Sequence, residues 1–173
     1  SQAVGSTSYS VPAHSIYIAA VGGADSDVAN AIFVKKPSGI SMTGNTSVTV
    51  SDTAAPSFPY PTYTITFNRP TSKPIYFAVQ IGNHPNLPSD IVTQVQNAIV
   101  ATFNGTNGGS RERISQDIYA SRYYQGVLSI SPYVRLISIL MGTSSGARTF
   151  SELQVGIDES PTISSTNISV TLV

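Results

Sequence analysis

The residues best suited to chemistry are few and scattered. His14 precedes an apolar stretch, and His84 lies in Gly82-Asn83-His84-Pro85. An imidazole at either place could move a proton or ligate a metal. Neither has another His, Asp or Glu at the short spacing that a local metal site uses. A loop histidine that bonds locally or faces water is the simpler reading. Asp25-x-Asp27 and Asp158-Glu159 are the carboxylate clusters. The first could hold calcium, but the Gly and the distant Glu of an EF-hand loop are missing. It reads instead as the acidic start of a helix, and Asp158-Glu159 before Ser160-Pro161 reads as a solvated turn. The glycines of Asn104–Gly109 are not followed by Lys-Ser/Thr, so they do not form a phosphate loop. No Gly-x-Ser-x-Gly elbow is present. The triplets starting at Asn45, Asn104 and Asn167 match the glycosylation pattern, as chance matches do in a Ser/Thr-rich chain. The chain therefore reads as no enzyme, with no catalytic, cofactor-binding or metal-binding residues assigned.

Tyrosine is the chemistry-bearing residue in surplus, with nine copies. A phenol joins a large apolar face to a polar tip, which suits protein or sugar contacts. Tyr17 and Tyr76 lie in strand-like stretches, where packing of the ring is the simpler account. Tyr60 lies in a Pro-rich connector. Tyr123 and Tyr124 are adjacent, and neighbouring helical residues cannot both point inward.

The elements that hold these residues follow from the patterning along the chain. Ser15–Val21 alternates as a strand, broken by Gly22-Gly23. Asp25 or Ser26 is a candidate N-cap, and Val28, Ala29, Ile32 and Phe33 mark the apolar face of a helix. Lys35 and Lys36 favour its C-terminal end, and Pro37 stops it. Thr46–Ser51 and Tyr63–Asn68 alternate as strands around the connector Thr53–Thr62, which holds Pro56, Pro59 and Pro61. Lys73–Gly82 is the strongest strand signal. Ser89 caps the clearest helix, whose stripe of Ile91, Val95, Ile99 and Phe103 ends at Asn104-Gly105. A third helix is predicted from Gln116 or Asp117 to about Leu128, carrying Ile118, Tyr119, Tyr123 and Val127. Tyr133–Met141, Leu153–Ile157 and Ile168–Val173 complete the strands. Helices inserted among groups of strands imply an α+β fold with a mixed, largely antiparallel sheet and about three helices. Residues 1–14 read as an N-terminal arm and 15–173 as one domain, with 82–89 as the place where two subdomains would divide.

Composition narrows the function classes. In 173 residues, 40% are apolar and only 10% charged, against roughly 25% charged in an ordinary domain. Nine basic and nine acidic residues cancel. That leaves no basic field to release counterions, so nucleic acid is not an expected partner. No apolar run approaches the roughly 20 residues of a membrane span. The absence of Cys excludes disulfides and thiolate chemistry. The chain begins at Ser1 without Met, as a processed product or a piece of a longer protein would.

The order of these segments resembles a known family. A strand leads through Gly22-Gly23 and a short helix to Lys36-Pro37-Ser38-Gly39. Gly44-Asn45-Thr46-Ser47-Val48-Thr49-Val50, Ile65–Pro70 and Pro74-Ile75-Tyr76 follow. With the helix 89–103, the segment 117–142 and the closing strand 168–173, this order is similar to the C-terminal part of J-like baseplate proteins. Those are wedge components of contractile-tailed phages, prophages and phage-tail-like bacteriocins. Two features depart from the pattern. The connector Asp52–Pro61 is longer and richer in Pro, and the N-terminal portion of such proteins has no counterpart. The resemblance implies a structural protein of the virion tail baseplate, assembled in the bacterial cytoplasm. Its partners would be other baseplate proteins or further copies of itself. On that reading Tyr60, in the loop Thr53–Pro61, and Tyr123 and Tyr124 are the candidate contact residues. A receptor- or glycan-binding module using exposed Tyr is the alternative.

Overall fold

The computed structural model describes residues 11–173 and, before them, the backbone of Gln2–Val4 (β1) and Thr7–Tyr9 (β2), which pair antiparallel. The arm expected over 1–14 lies partly outside the described residues. The chain forms two units, Ser1–Thr71 and Ser72–Val173, each with its own apolar core. The fold is α+β with small mixed and antiparallel sheets. The division falls at Thr71/Ser72, not near 82–89. Residues 82–89 stay inside the second unit, where Gly82 N donates to Arg135 O and Asn83 N to Val173 O.

In the first unit, Ser15–Tyr17 (β3) leads to the helix Asp25–Lys35 (α1), and α1 leads to Ser41–Thr43 (β4), which lies parallel to β3. Thr46–Ser51 (β5) and Thr62–Phe67 (β6) then form an antiparallel hairpin. Alternation decides which face is buried: Val48 and Val50 turn inward while Ser47 and Thr49 face water. Ala29 and Ile32 of α1 close over Val50, Ile65 and Phe67. Ala24, not Asp25 or Ser26, occupies the N-cap of α1, and it makes no side-chain cap bond. Asp25 is used elsewhere. Its Oδ1 accepts from Arg69 Nε at 2.9 Å and Nη2 at 2.7 Å. The same guanidinium donates to the carbonyls of Ala20, Gly22 and Gly23. Gly22 and Gly23 both take positive φ, which a residue with a Cβ resists. Arg69 thus fixes the bend that aims α1, an arrangement that no local sequence pattern announces.

The second unit begins at Ser72, within Thr71–Pro74 (β7), which is followed at once by Tyr76–Ile81 (β8). The single strand expected over 73–82 is broken because its two halves have different partners. β7 pairs with Glu159–Thr162 (β12), whereas β8 is the centre of a three-stranded sheet. Leu136–Gly142 (β10) runs antiparallel to β8 on one side, and Ile168–Leu172 (β13) runs parallel on the other. The helix Ile91–Asn104 (α2) buries Ile91, Val95, Ile99 and Phe103 in this unit's core. Asp90, one residue past the expected Ser89, holds the N-cap position, and its carboxylate accepts from Gln94. Gly105 ends α2 in the left-handed region at φ 71°.

The predicted third helix is mostly not a helix. Ile118–Tyr119 (β9) pairs with Glu152–Leu153 (β11), Ala120–Tyr123 is a 3₁₀ turn, and only Tyr124–Leu128 (α3) is α-helical. A distant strand captures the backbone that local periodicity assigned to helix. β11 is likewise only the start of the strand expected over 153–157.

Asp158 lies in a turn as expected, but Glu159 is not simply solvated. Glu159 lies in β12, and its Oε2 accepts from Lys73 Nζ at 2.6 Å and from the Gly156 amide at 2.8 Å. Burial pushes the Glu159 carboxyl up, but the hydrogen bond from Lys73, the Gly156 amide and the Lys73 charge together outweigh it and leave the value lowered. A carboxyl with a lowered folded-state value stabilises the fold above its ordinary value of 4.5, and that stabilisation is lost as pH falls below it. Urea titrations from neutral pH down through 4.5 should therefore show a falling midpoint that Glu159→Gln flattens. Parallel curves for the two proteins would contradict this role.

Candidate protein-contact surface

The β5–β6 hairpin presents the connector 52–61 at its tip. Asp52 N donates to Pro61 O at 2.8 Å, which closes the base of the loop. The Asp52 carboxylate accepts from Ala54 N at 3.1 Å, which turns the chain back. Beyond Asp52, residues 53–61 carry no charge. Phe58 is 85% exposed and Tyr60 39% exposed. Their rings meet edge-on at 5.9 Å, a preferred aromatic geometry. Just below the loop Tyr63 is also exposed, with its ring 5.3 Å from that of Phe33. Leaving a Phe side chain in water forgoes about 1.5–3 kcal/mol of burial energy. A loop that holds an aromatic pair outward, with no charge of its own, therefore gains by meeting another apolar surface.

The second unit separates the adjacent tyrosines. Tyr124 is 40% exposed, and Leu128, one turn on, is 47% exposed, so the two share an outer face of α3. Tyr123 is fully buried, so its ring is not offered to a partner. It packs edge-on against Phe77 at 4.9 Å, and its hydroxyl donates to Glu112 Oε1 at 2.8 Å. Glu112 Oε1 also meets Arg122 Nη1 at 2.8 Å. Burial, then the charge and hydrogen bond of Glu112, push the Tyr123 hydroxyl far up, against the lowering charge of Arg122. It stays a donor at any ordinary pH. Within Arg111-Glu112-Arg113 the glutamate is thus a buried structural anchor, a role that its flanking charges concealed.

The other chemistry-bearing groups have local partners. The His84 ring stacks on Tyr133 at 5.0 Å, and its Nδ1 accepts from Asn86 N. His14 is exposed at a positive-φ bend and holds Ser41 N through its carbonyl. Among the described residues, no group of three or more His, Cys, Asp or Glu could hold a metal ion. Among them, too, no helix is long and apolar enough to cross a membrane. Sequence pattern points to Tyr60 and Tyr124 but passes over Phe58 and Leu128. The signal for Phe58 is an aromatic set between Ser57 and Pro59 in a loop that has no core to enter. No protein-family model and no curated protein sequence matches the chain.

Proposed function

We propose that this chain is a structural component of a phage-type contractile tail baseplate, joining neighbouring subunits through contacts made by its own exterior. The observation that carries the contact role is the Phe58–Tyr60 pair, held in water at the tip of an uncharged hairpin loop. Aromatic side chains of this kind supply much of the energy at protein interfaces, while charged residues are depleted from interface centres. The low charge of the whole chain is in keeping with this. The baseplate assignment rests on the order of segments along the chain, which resembles that of J-like wedge proteins. The exposed face of Tyr124 and Leu128 on α3 is a second contact surface on this reading.

Immunogold labelling tests the location. Contractile tail particles from the producing cells, treated with antibody to this chain, should carry gold at the end distal to the head. Label on the sheath, or only on material free of particles, would exclude a baseplate role. The glycan-binding alternative, which the exposed tyrosines also allow, predicts a preferred sugar on a glycan array. The baseplate reading predicts none.

A further inference from the structure

A groove of about 400 Å³ runs beside α1 in the first unit. Ile16 and Ile18 form one side, and Ala31 and Ile32 of α1 form another. Lys35 and Lys36, at the C-terminal end of α1, are the only charged residues among its lining. We propose that this groove binds a long-chain carboxylate, its hydrocarbon along Ile16, Ile18, Ala31 and Ile32 and its carboxylate at Lys35 and Lys36.

The volume falls within the roughly 300–1,000 Å³ of small-molecule sites, which pair an apolar wall with a few polar groups. Charge then selects the head group. Among the described residues neither lysine has a carboxylate within ion-pair distance. Both could serve the helix end, but that end carries the equivalent of only about −0.5 charge. Two full positive charges exceed it, and the surplus is free to meet an anion. A cationic or neutral amphiphile would find the same apolar wall without that attraction. This inference does not depend on the baseplate reading.

The test is a titration of the whole chain with dodecanoate, held below its micelle-forming concentration and followed by methyl NMR. Saturable shifts are expected at Ile16, Ile18, Ala31 and Ile32. Dodecyltrimethylammonium should bind at least about tenfold more weakly. Lys35→Glu with Lys36→Glu should weaken dodecanoate by at least about tenfold. Ala31→Phe, a substitution at an exposed position that should leave the fold intact, should fill the groove and abolish binding. Equal affinity for the cationic amphiphile, shifts confined to other methyls, or no saturable binding would each overturn the proposal.

Discussion

Tyr123→Ala is expected to destabilise the second unit by about 3–5 kcal/mol, the range for emptying a buried aromatic site. The ring is fully buried and braced by Phe77, so neighbouring side chains have little freedom to collapse into the space. Two losses combine: the apolar contacts of the ring, and the hydroxyl that satisfies Glu112. Tyr123→Phe isolates the second. It keeps the ring but leaves Glu112, only 3% exposed, with Arg122 alone on Oε1. Among the described residues its Oε2 already has no hydrogen-bond partner. A hydrogen bond to a charged group of this kind is worth about 1.5–3 kcal/mol. Hydrogen exchange at the amides of β8 and α2 reads both variants, because these elements build the unit's core. Exchange should quicken by more than about a hundredfold in Tyr123→Ala and by less in Tyr123→Phe. Wild-type exchange in both variants would mean that Tyr123 and Glu112 do not anchor this core.

The combined substitution of Phe58→Ser and Tyr60→Ser should have the opposite profile. Both rings lie largely outside the core, so the thermal midpoint should stay close to that of the wild type, as is usual for surface changes. Incorporation into tail particles should nonetheless fall to background. Central aromatic residues at an interface each cost about 2 kcal/mol or more when truncated, and two together would reduce occupancy by at least about a hundredfold. A matched control at Tyr119, an exposed tyrosine engaged by its neighbour Glu152, should assemble normally. Normal incorporation of the double variant would remove the loop from the interface.

Much of this fold was legible because local signals and tertiary structure agree. The hairpin β5–β6 followed from alternation, and α2 from its apolar stripe and its glycine stop. The failures share a physical cause, which is that long-range partners override local pattern. Ile118 and Tyr119 fit a helical period, yet Glu152 and Leu153 draw them into a strand. Residues 73–82 read as one strand, yet β7 and β8 pair with different neighbours. Asp25 looked like a cap until Arg69, 44 residues away, claimed its carboxylate. Glu159 looked solvated until Lys73 did the same from 86 residues away. The candidate contact surface was half legible. Composition and an unusual loop drew attention to Tyr60, but burial separates Tyr123 from Tyr124, and exposure singles out Phe58. The groove beside α1 was invisible, since Ile16 and Ala31 come to line one cavity only through the turn of the chain between β3 and α1.

The central claim is that the hairpin tip touches another protein in an assembled particle. Photocross-linking tests it most directly, with a photoreactive phenylalanine analogue in place of Phe58 and tail particles as the sample. The account predicts a light-dependent adduct between this chain and a neighbouring tail subunit, absent when the analogue replaces Asn97 on the exposed side of α2. Particles that contain the chain yet yield no adduct at position 58 would contradict it.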